Sequence, residues 1–525
     1  MDSSPEMQSD LPGLIAALSL AETYPEKPAS VEFIQTQMSC IFLTPDFAYK
    51  IKKPVNLGYV DYTTLEKRRY FCEQEVELNR RLCPDSYIGV LPITFDGGRY
   101  ALNGSGETVE YCVKMHRLPN YRLLDRLLEQ RAVTPDMMDE VALKISAFHA
   151  GAETSEEIAA YGSPEVVTRN TEENFSQTDI YVGRCITQKQ FERISSFTRA
   201  FIHDNREIFE RRIRERRTRD CHGDLHAQHV CFCDDDVHIF DCIEFNQRFR
   251  YCDIISEIAF LAMDLDHAGR ADLGHRFIQS YAKHSHDPDI AALLTFYKCY
   301  RAYVRGKVAG FKLDDPLVSQ PEKEASAAIA KGYFDLALSY TRQRPVLVIM
   351  TGLTGSGKTT IASALAGRLG AIHASSDVTR KQLAGIPETE HRFDEKDGGI
   401  YTPEFTRRTY DAILKQASEA LRDGGNAILD AAFLRQKERN EAVTMAKELG
   451  VDWRILECRL SPELTQKRLL ERLAQPSASD GRWEIYQRQT GWFEPVPDTS
   501  TQHYLLIDTS LPIEQNISGV LDWMD

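Results

Sequence analysis

Residues 346–363 read VLVIMTGLTGSGKTTIAS. The run Val346–Met350 is almost continuously apolar, as a strand buried on both faces of a parallel sheet must be. It leads into the pattern GxxxxGK[ST], in which Gly352, Gly355 and Gly357 let backbone N–H groups close around phosphate oxygens. Ser356 and Thr360 belong to the same turn, Lys358 supplies a point charge, and Thr359 offers a hydroxyl to Mg2+. The following TTIASALAGRLG has helical spacing. Strand, loop and helix therefore stand in the order that a nucleotide-binding loop requires.

Downstream, AIHASSDVTRKQL predicts a second strand ending at Asp377, with Arg380 in the turn or helix after it. An Asp facing the phosphate loop can accept a substrate hydroxyl proton, and a nearby Arg can hold an anionic group of that substrate. Helix capping is the other use for such an Asp. The stretch GGNAILDAAFLRQKER predicts another buried strand, AILD, ending on Asp430, which suits Mg2+ bound through water. Arg435 and Arg439 follow four residues apart on a helix, and VDWRILECRL is a further strand. In SPELTQKRLLERLAQPSASDGRWEIYQRQ, Arg468 and Arg472 share a helix face before a Pro/Ser/Gly-rich turn. Such a helix–loop–helix can close over ATP and bring a cation to the transferring phosphoryl group.

Upstream the pattern changes. Pro316 and Pro321 interrupt a segment whose remainder, 322–340, reads as a helix, and Pro345 precedes the apolar strand. This places a domain boundary near 341 and divides the chain into 1–340 and 341–525. Within the first part, CHGDLHAQHV at 221–230 is a compact polar loop, followed by a two-stranded ribbon that ends in FDCIEF. Asp224 can orient and deprotonate an alcohol, while Asp241 can hold Mg2+ against ATP phosphates. VEFIQTQ, CIFLT and FAYKIKKPV read as short strands around the Pro45–Asp46 turn, and residues 63–82 as a helix opened by a Thr cap. Lys50 alternates away from the apolar positions of its strand, with Lys52 on the same face. Held by Glu75 of the helix, Lys50 makes a clamp for the α- and β-phosphates.

The 525 residues suggest two or three domains, and 42% hydrophobic with 27% charged residues suits globular cores. Sixty-three basic against 78 acidic side chains give a net charge of −15, which opposes long-range attraction to nucleic acid or an anionic membrane. No apolar run is long enough for a membrane span and no export signal opens the chain, so a cytoplasmic location with twelve cysteines as thiols is expected. His229, Cys231, Cys233 and His238 lack the C-x2-C turn of a zinc site, and strand packing is the expectation there.

Two resemblances follow from these residues. GLTGSGKTT, SSDVTRKQL, ILDAAFLRQKER and KRLLERL resemble the small-molecule kinase branch of P-loop proteins, such as gluconate kinase, chloramphenicol phosphotransferase and the kinase half of polynucleotide kinase. That likeness implies that Asp377 activates the acceptor hydroxyl and that Arg472 belongs to a lid. HGDLH at His222–His226 with Asp241 resembles the aminoglycoside phosphotransferase family, relatives of protein kinases, over about 31–310. There Asp253 and Glu257 resemble the acidic pair supporting the helical lobe. Where that family usually has Asn, this chain has His229, which weakens or reassigns the second metal contact, and no glycine-rich loop joins the first strands.

Over its whole length the chain resembles bacterial bifunctional proteins that join the two. The expected fold is a protein-kinase-like bilobal α+β domain followed by an α/β P-loop domain with a parallel sheet core. The expected function is an ATP- and Mg2+-dependent kinase with two sites for small alcohols. Three alternatives stand beside it: a P-loop kinase governed by an impaired N-terminal domain, a nucleic-acid end kinase using the basic RRIRERRTR segment, and a non-enzymatic ATP-dependent switch or scaffold.

Overall fold

The computed structural model describes residues 10–524 apart from 234–235, 317, 343, 389, 391–397, 474–477 and 498–501. Part of the turn expected to close over ATP, 474–477, thus lies outside the described residues. Two compact units emerge, one formed by Met1–Asn170, Ile202–Leu261 and Arg276–Leu294, the other by Thr171–Phe201, Ala262–His275 and Thr295–Asp525. The second unit includes helical segments that precede residue 341.

In the first unit, β1 (Glu32–Gln35), β2 (Ser39–Leu43), β3 (Phe47–Lys52), β4 (Tyr87–Phe95), β5 (Tyr100–Leu102) and β6 (Glu107–His116) form a sheet ordered β1-β2-β3-β6-β4-β5. Every pairing in it is antiparallel. Strand alternation sends Tyr49 and Ile51 of β3 into a core with Leu14 and Leu18 of the helix Leu11–Leu18. Lys50 and Lys52 consequently share the opposite face. The helix Leu65–Asn79 begins where the Thr64 side chain accepts from Lys67 N at 3.3 Å, and it buries Cys72 and Val76 with Tyr87 and Val113. That packing aims Glu75 at the lysine face.

Beyond β6 this unit is mostly helical. The short strands β7 (Thr218–Asp220) and β10 (Tyr251–Asp253) pair with each other, and β8 (Val230–Cys233) pairs with β9 (Asp236–Ile239) as the expected ribbon. Cys231 and Cys233 are buried in β8, and Cys83 Sγ lies 3.3 Å from His238 Nδ1, so these groups are used in packing. A small sheet with one helix, a mostly helical remainder, and a polar loop leading into a ribbon make up the first unit.

In the second unit, β11 (Val346–Thr351), β12 (Ala371–Ser375), β13 (Asn426–Asp430), β14 (Asp452–Arg459) and β15 (Tyr504–Asp508) form a parallel sheet ordered β12-β13-β11-β14-β15. The continuous apolar run of β11 is explained by burial on both sides. Val346, Val348 and Met350 meet Ile361 and Leu365 of the helix Lys358–Leu369, and Ile517 and Val520 of the helix Ile513–Met524. Leu347 and Ile349 meet Ile413 and Ala417 of the helix Pro403–Arg422, and Ala442 of the helix Gln436–Glu448.

Two local expectations change. The β12–β13 ladder ends with Ser375 opposite Asp430, so Asp377 lies in the first turn of the helix Ser376–Ala384 instead of ending the strand. Arg435 occupies the N-cap of Gln436–Glu448 and only Arg439 is within that helix, because the chain is still extended at Arg435.

Candidate active sites

The phosphate loop wraps the mouth of a cavity of about 1170 Å³. Gly352 has φ +137°, and a Cβ there would sit 2.5 Å from the Cys458 carbonyl oxygen, so the loop conformation requires glycine. Lys358 Nζ donates to Leu353 O at 2.8 Å, folding the lysine back over its own loop. Burial lowers its pKa from the ordinary lysine value, opposed by Asp430 and Asp377. The cavity lining brings together Gly355, Gly357, Lys358, Thr359, Thr360, Asp377, Arg380, Asp430, Arg435 and Arg472. Of the C-terminal residues singled out in the sequence, Gly352 and Ser356 lie deeper in the loop and Arg439 lies outside this lining.

The two carboxylates are tuned in opposite directions. Burial pushes Asp377 above the usual range. Burial also opposes ionisation of Asp430, but a hydrogen bond from His373 Nε2 at 3.0 Å and the charge of Lys358 hold it low. Thr359 also hydrogen-bonds Asp430. His373 was not singled out in the sequence; its signal was a polar residue within an otherwise apolar buried strand. Arg380 Nη1 donates to Ile400 O at 2.7 Å and Thr406 Oγ1 at 3.1 Å, and its guanidinium lies over the Tyr401 ring. Arg472 Nη2 donates to Gly481 O at 3.0 Å. Arg439 is buried and donates to the carbonyls of Phe433, Leu434, Glu494 and Pro495, whereas Arg435 is exposed at the cavity rim.

In the first unit, Lys50 Nζ lies 2.9 Å from Glu75 Oε1 and 2.7 Å from Asp241 Oδ1. Burial works against the charge of Lys50, but Asp241 and Glu75 overcome it and raise its pKa. Lys52 Nζ bonds Glu75 Oε2 at 2.6 Å and also Glu244, which accepts from the Tyr62 hydroxyl at 2.6 Å. Glu244 was missed in the sequence, although a second carboxylate three residues after Asp241 was visible. Asp241 itself has φ +61°, a left-handed conformation costing a non-glycine residue about 1–2 kcal/mol.

The polar loop is built on Glu257. This fully buried carboxylate accepts from His222 N at 3.1 Å, Gly223 N at 2.6 Å and His149 Nε2 at 2.8 Å. Burial opposes its charge, yet His149 and these bonds hold its pKa down at about 2. His222 Nε2 donates to Phe240 O at 2.9 Å, leaving Nδ1 to accept from Asp224 N at 3.3 Å. The loop therefore presents Asp224 on a fixed backbone. His226 Nε2 and His229 Nδ1 lie 3.4 and 3.5 Å from Asp224 Oδ2. His229 also reaches Asp241, with Nε2 3.6 Å from Oδ2, and burial with His226 lowers its pKa to about 4. Asp253 holds the buried Arg212, which also bonds Asp287 and Asp289. Within the basic RRIRERRTR segment, Arg211, Arg212, Arg216 and Arg217 are all ion-paired with carboxylates of this chain.

Among the described residues, no helix is long and apolar enough to cross a membrane. Residues 347–496 match the family model of the AAA domain. An uncharacterized protein of Mycobacterium tuberculosis is 29% identical over 492 residues, spanning 93% of this chain and 94% of the relative. A shikimate kinase of Ruegeria pomeroyi is 33% identical over 107 residues, 20% of this chain and 54% of that enzyme. Among solved structures, a choline/ethanolamine kinase family protein from Mesorhizobium loti is similar over 63% of this chain and 99% of its own, with 11% identity and a TM-score of 0.36.

Proposed function

From a chain that joins a kinase-like fold to a P-loop AAA domain, we propose an ATP-dependent phosphotransferase with two kinase sites, each acting on a hydroxyl group of a small molecule. The observation that carries this reading is the convergence of Lys50, Glu75, Asp224 and Asp241 within one unit and of Lys358, Thr359, Asp377 and Asp430 within the other. Each set has a cation for phosphates, a carboxylate for a metal, and a second carboxylate for the acceptor. The 1–340 and 341–525 division follows the same reading.

In the C-terminal site, the loop amides and Lys358 hold the β- and γ-phosphates. Asp377 receives the acceptor's proton, its raised pKa making it a better base than an ordinary carboxylate. Arg472 meets the charge on the transferring group, and Arg380 and Arg435 line the acceptor side. In the N-terminal site, Lys50, fixed by Glu75, holds the α- and β-phosphates, and Asp224 takes the proton. Mg2+ suits the oxygen donors Thr359 and Asp430, and Asp241 with His229 would hold a divalent ion in the N-terminal site. When bound, it neutralises phosphate charge.

The ion-paired arginines of the basic segment favour a small acceptor over a nucleic-acid end, and cysteines held as thiols fit a cytoplasmic protein. A P-loop kinase governed by an impaired N-terminal domain is the second reading, favoured by His229. The purified protein, incubated with ATP, Mg2+ and a metabolite pool, is expected to yield phosphorylated products that disappear selectively in Lys358→Ala and Asp224→Ala. A product list unchanged in both variants would defeat the two-site reading, and one sensitive only to Lys358 would select the second.

A further inference from the structure

His229 Nδ1 lies 3.0 Å from the Asp224 backbone carbonyl oxygen. A carbonyl oxygen only accepts, so the hydrogen of a neutral ring sits on Nδ1 and the lone pair on Nε2. That lone pair meets Asp241 Oδ2 across 3.6 Å, while Asp241 Oδ1 is already taken by Lys50. Two acceptors facing each other at this distance repel unless a cation lies between them. Metal–ligand bonds of about 2.1 Å from each atom can meet over such a gap. The imidazole is also fixed in place: the His226 ring stands 4.0 Å from it and Phe240 5.7 Å, centroid to centroid. The donor set fits a divalent ion, and it fits one kind better than another. Mg2+ favours hard oxygen ligands and dehydrates reluctantly, whereas first-row transition ions bind mixed nitrogen and oxygen sites with an affinity that rises from Mn2+ to Co2+.

We propose that the N-terminal site takes its nucleotide with Mn2+ or Co2+ in preference to Mg2+, with His229 Nε2 and Asp241 Oδ2 as its protein ligands. This rests on the reading of that site as a nucleotide site. The test uses the full chain carrying Lys358→Ala and Thr359→Ala, which disables the P-loop site, loaded with Mn2+ and ATP. Electron spin-echo modulation is expected to show coupling to an imidazole nitrogen. That coupling is lost in His229→Asn and His229→Gln, whose amide oxygens still hold the ion. Competition followed by the signal of released Mn2+ is expected to show the preference for Mn2+ over Mg2+ falling about tenfold in either variant, the lower end of what changes around a metal cost in affinity. Bound Mn2+ without nitrogen coupling, as when a proton bridges His229 and Asp241, would overturn the proposal, as would an unchanged preference in both variants. Failure of the parent to bind Mn2+ with ATP would remove the nucleotide reading itself.

Discussion

Lys50 Nζ donates to Asp241 Oδ1 at 2.7 Å across 191 residues of chain. Its strand neighbour Lys52 shares Glu75 with it, yet the two lysines differ in access: the Lys50 side chain is 14% exposed and the Lys52 side chain 1%. Lys50 keeps some contact with solvent, and Lys52 is sealed between two carboxylates.

That difference predicts separable effects. Lys50→Met is expected to lower the Asp224-dependent turnover by about 10²-fold or more, the scale of losing one charge-stabilising donor. Lys52→Met leaves Glu75 and Glu244 buried without their shared cation and is expected to cost about 3–5 kcal/mol of stability. Product formation and urea unfolding, measured on both variants, check the division.

Acid should loosen the polar loop through Glu257. Its pKa falls from an ordinary 4.5 to about 2 in the folded chain, so its stabilising contribution is complete above pH 4.5 and is lost as pH falls through that window toward 2. The contribution is on the order of 3 kcal/mol. Unfolding midpoints taken between pH 6 and pH 2 are expected to fall less steeply in Glu257→Gln than in the parent.

Glycine positions give a matched pair in the second unit. Gly352→Ala would drive a Cβ against Cys458 O in a backbone conformation that L residues rarely adopt, and is expected to abolish ATP-induced thermal stabilisation at the P-loop. Gly519→Ala meets open space within the helix Ile513–Met524 and should raise stability by about 0.5–1 kcal/mol without affecting nucleotide binding. Thermal melts with and without ATP, on an Asp241→Ala background that silences the other site, separate the two.

Two arginines four residues apart should behave differently. Arg439→Ala leaves the carbonyls of Phe433, Leu434, Glu494 and Pro495 without their shared donor and is expected to destabilise the unit by about 2–4 kcal/mol. Arg435→Ala, at the exposed rim, should leave stability within about 0.5 kcal/mol. Its expected effect is a higher KM for the C-terminal acceptor, measured once the product is known.

The P-loop strand was legible because burial on both faces leaves a continuous apolar run, and the loop because only glycine tolerates its conformation. The ribbon after HGDLH and the Thr64 cap were legible for similar local reasons. Asp377 was placed one element too early, since where a parallel ladder stops depends on its neighbour. The charge patterns were least legible: RRIRERRTR looks like a free basic surface until Asp253, Asp287 and Asp289 close around Arg212.

By itself, then, the sequence determined the phosphate loop, the strand and helix order around it, and the residue types gathered in the two proposed phosphoryl-transfer sites. Those properties reside in short stretches whose periodicity and backbone demands are local. Only the tertiary structure decided that Lys50 and not Lys52 keeps contact with solvent, that His373 supports Asp430, and that His229 stands between Asp224 and Asp241. Each of these joins residues from separate strands or loops, and side-chain charges interact over distances set by packing, not by position along the chain.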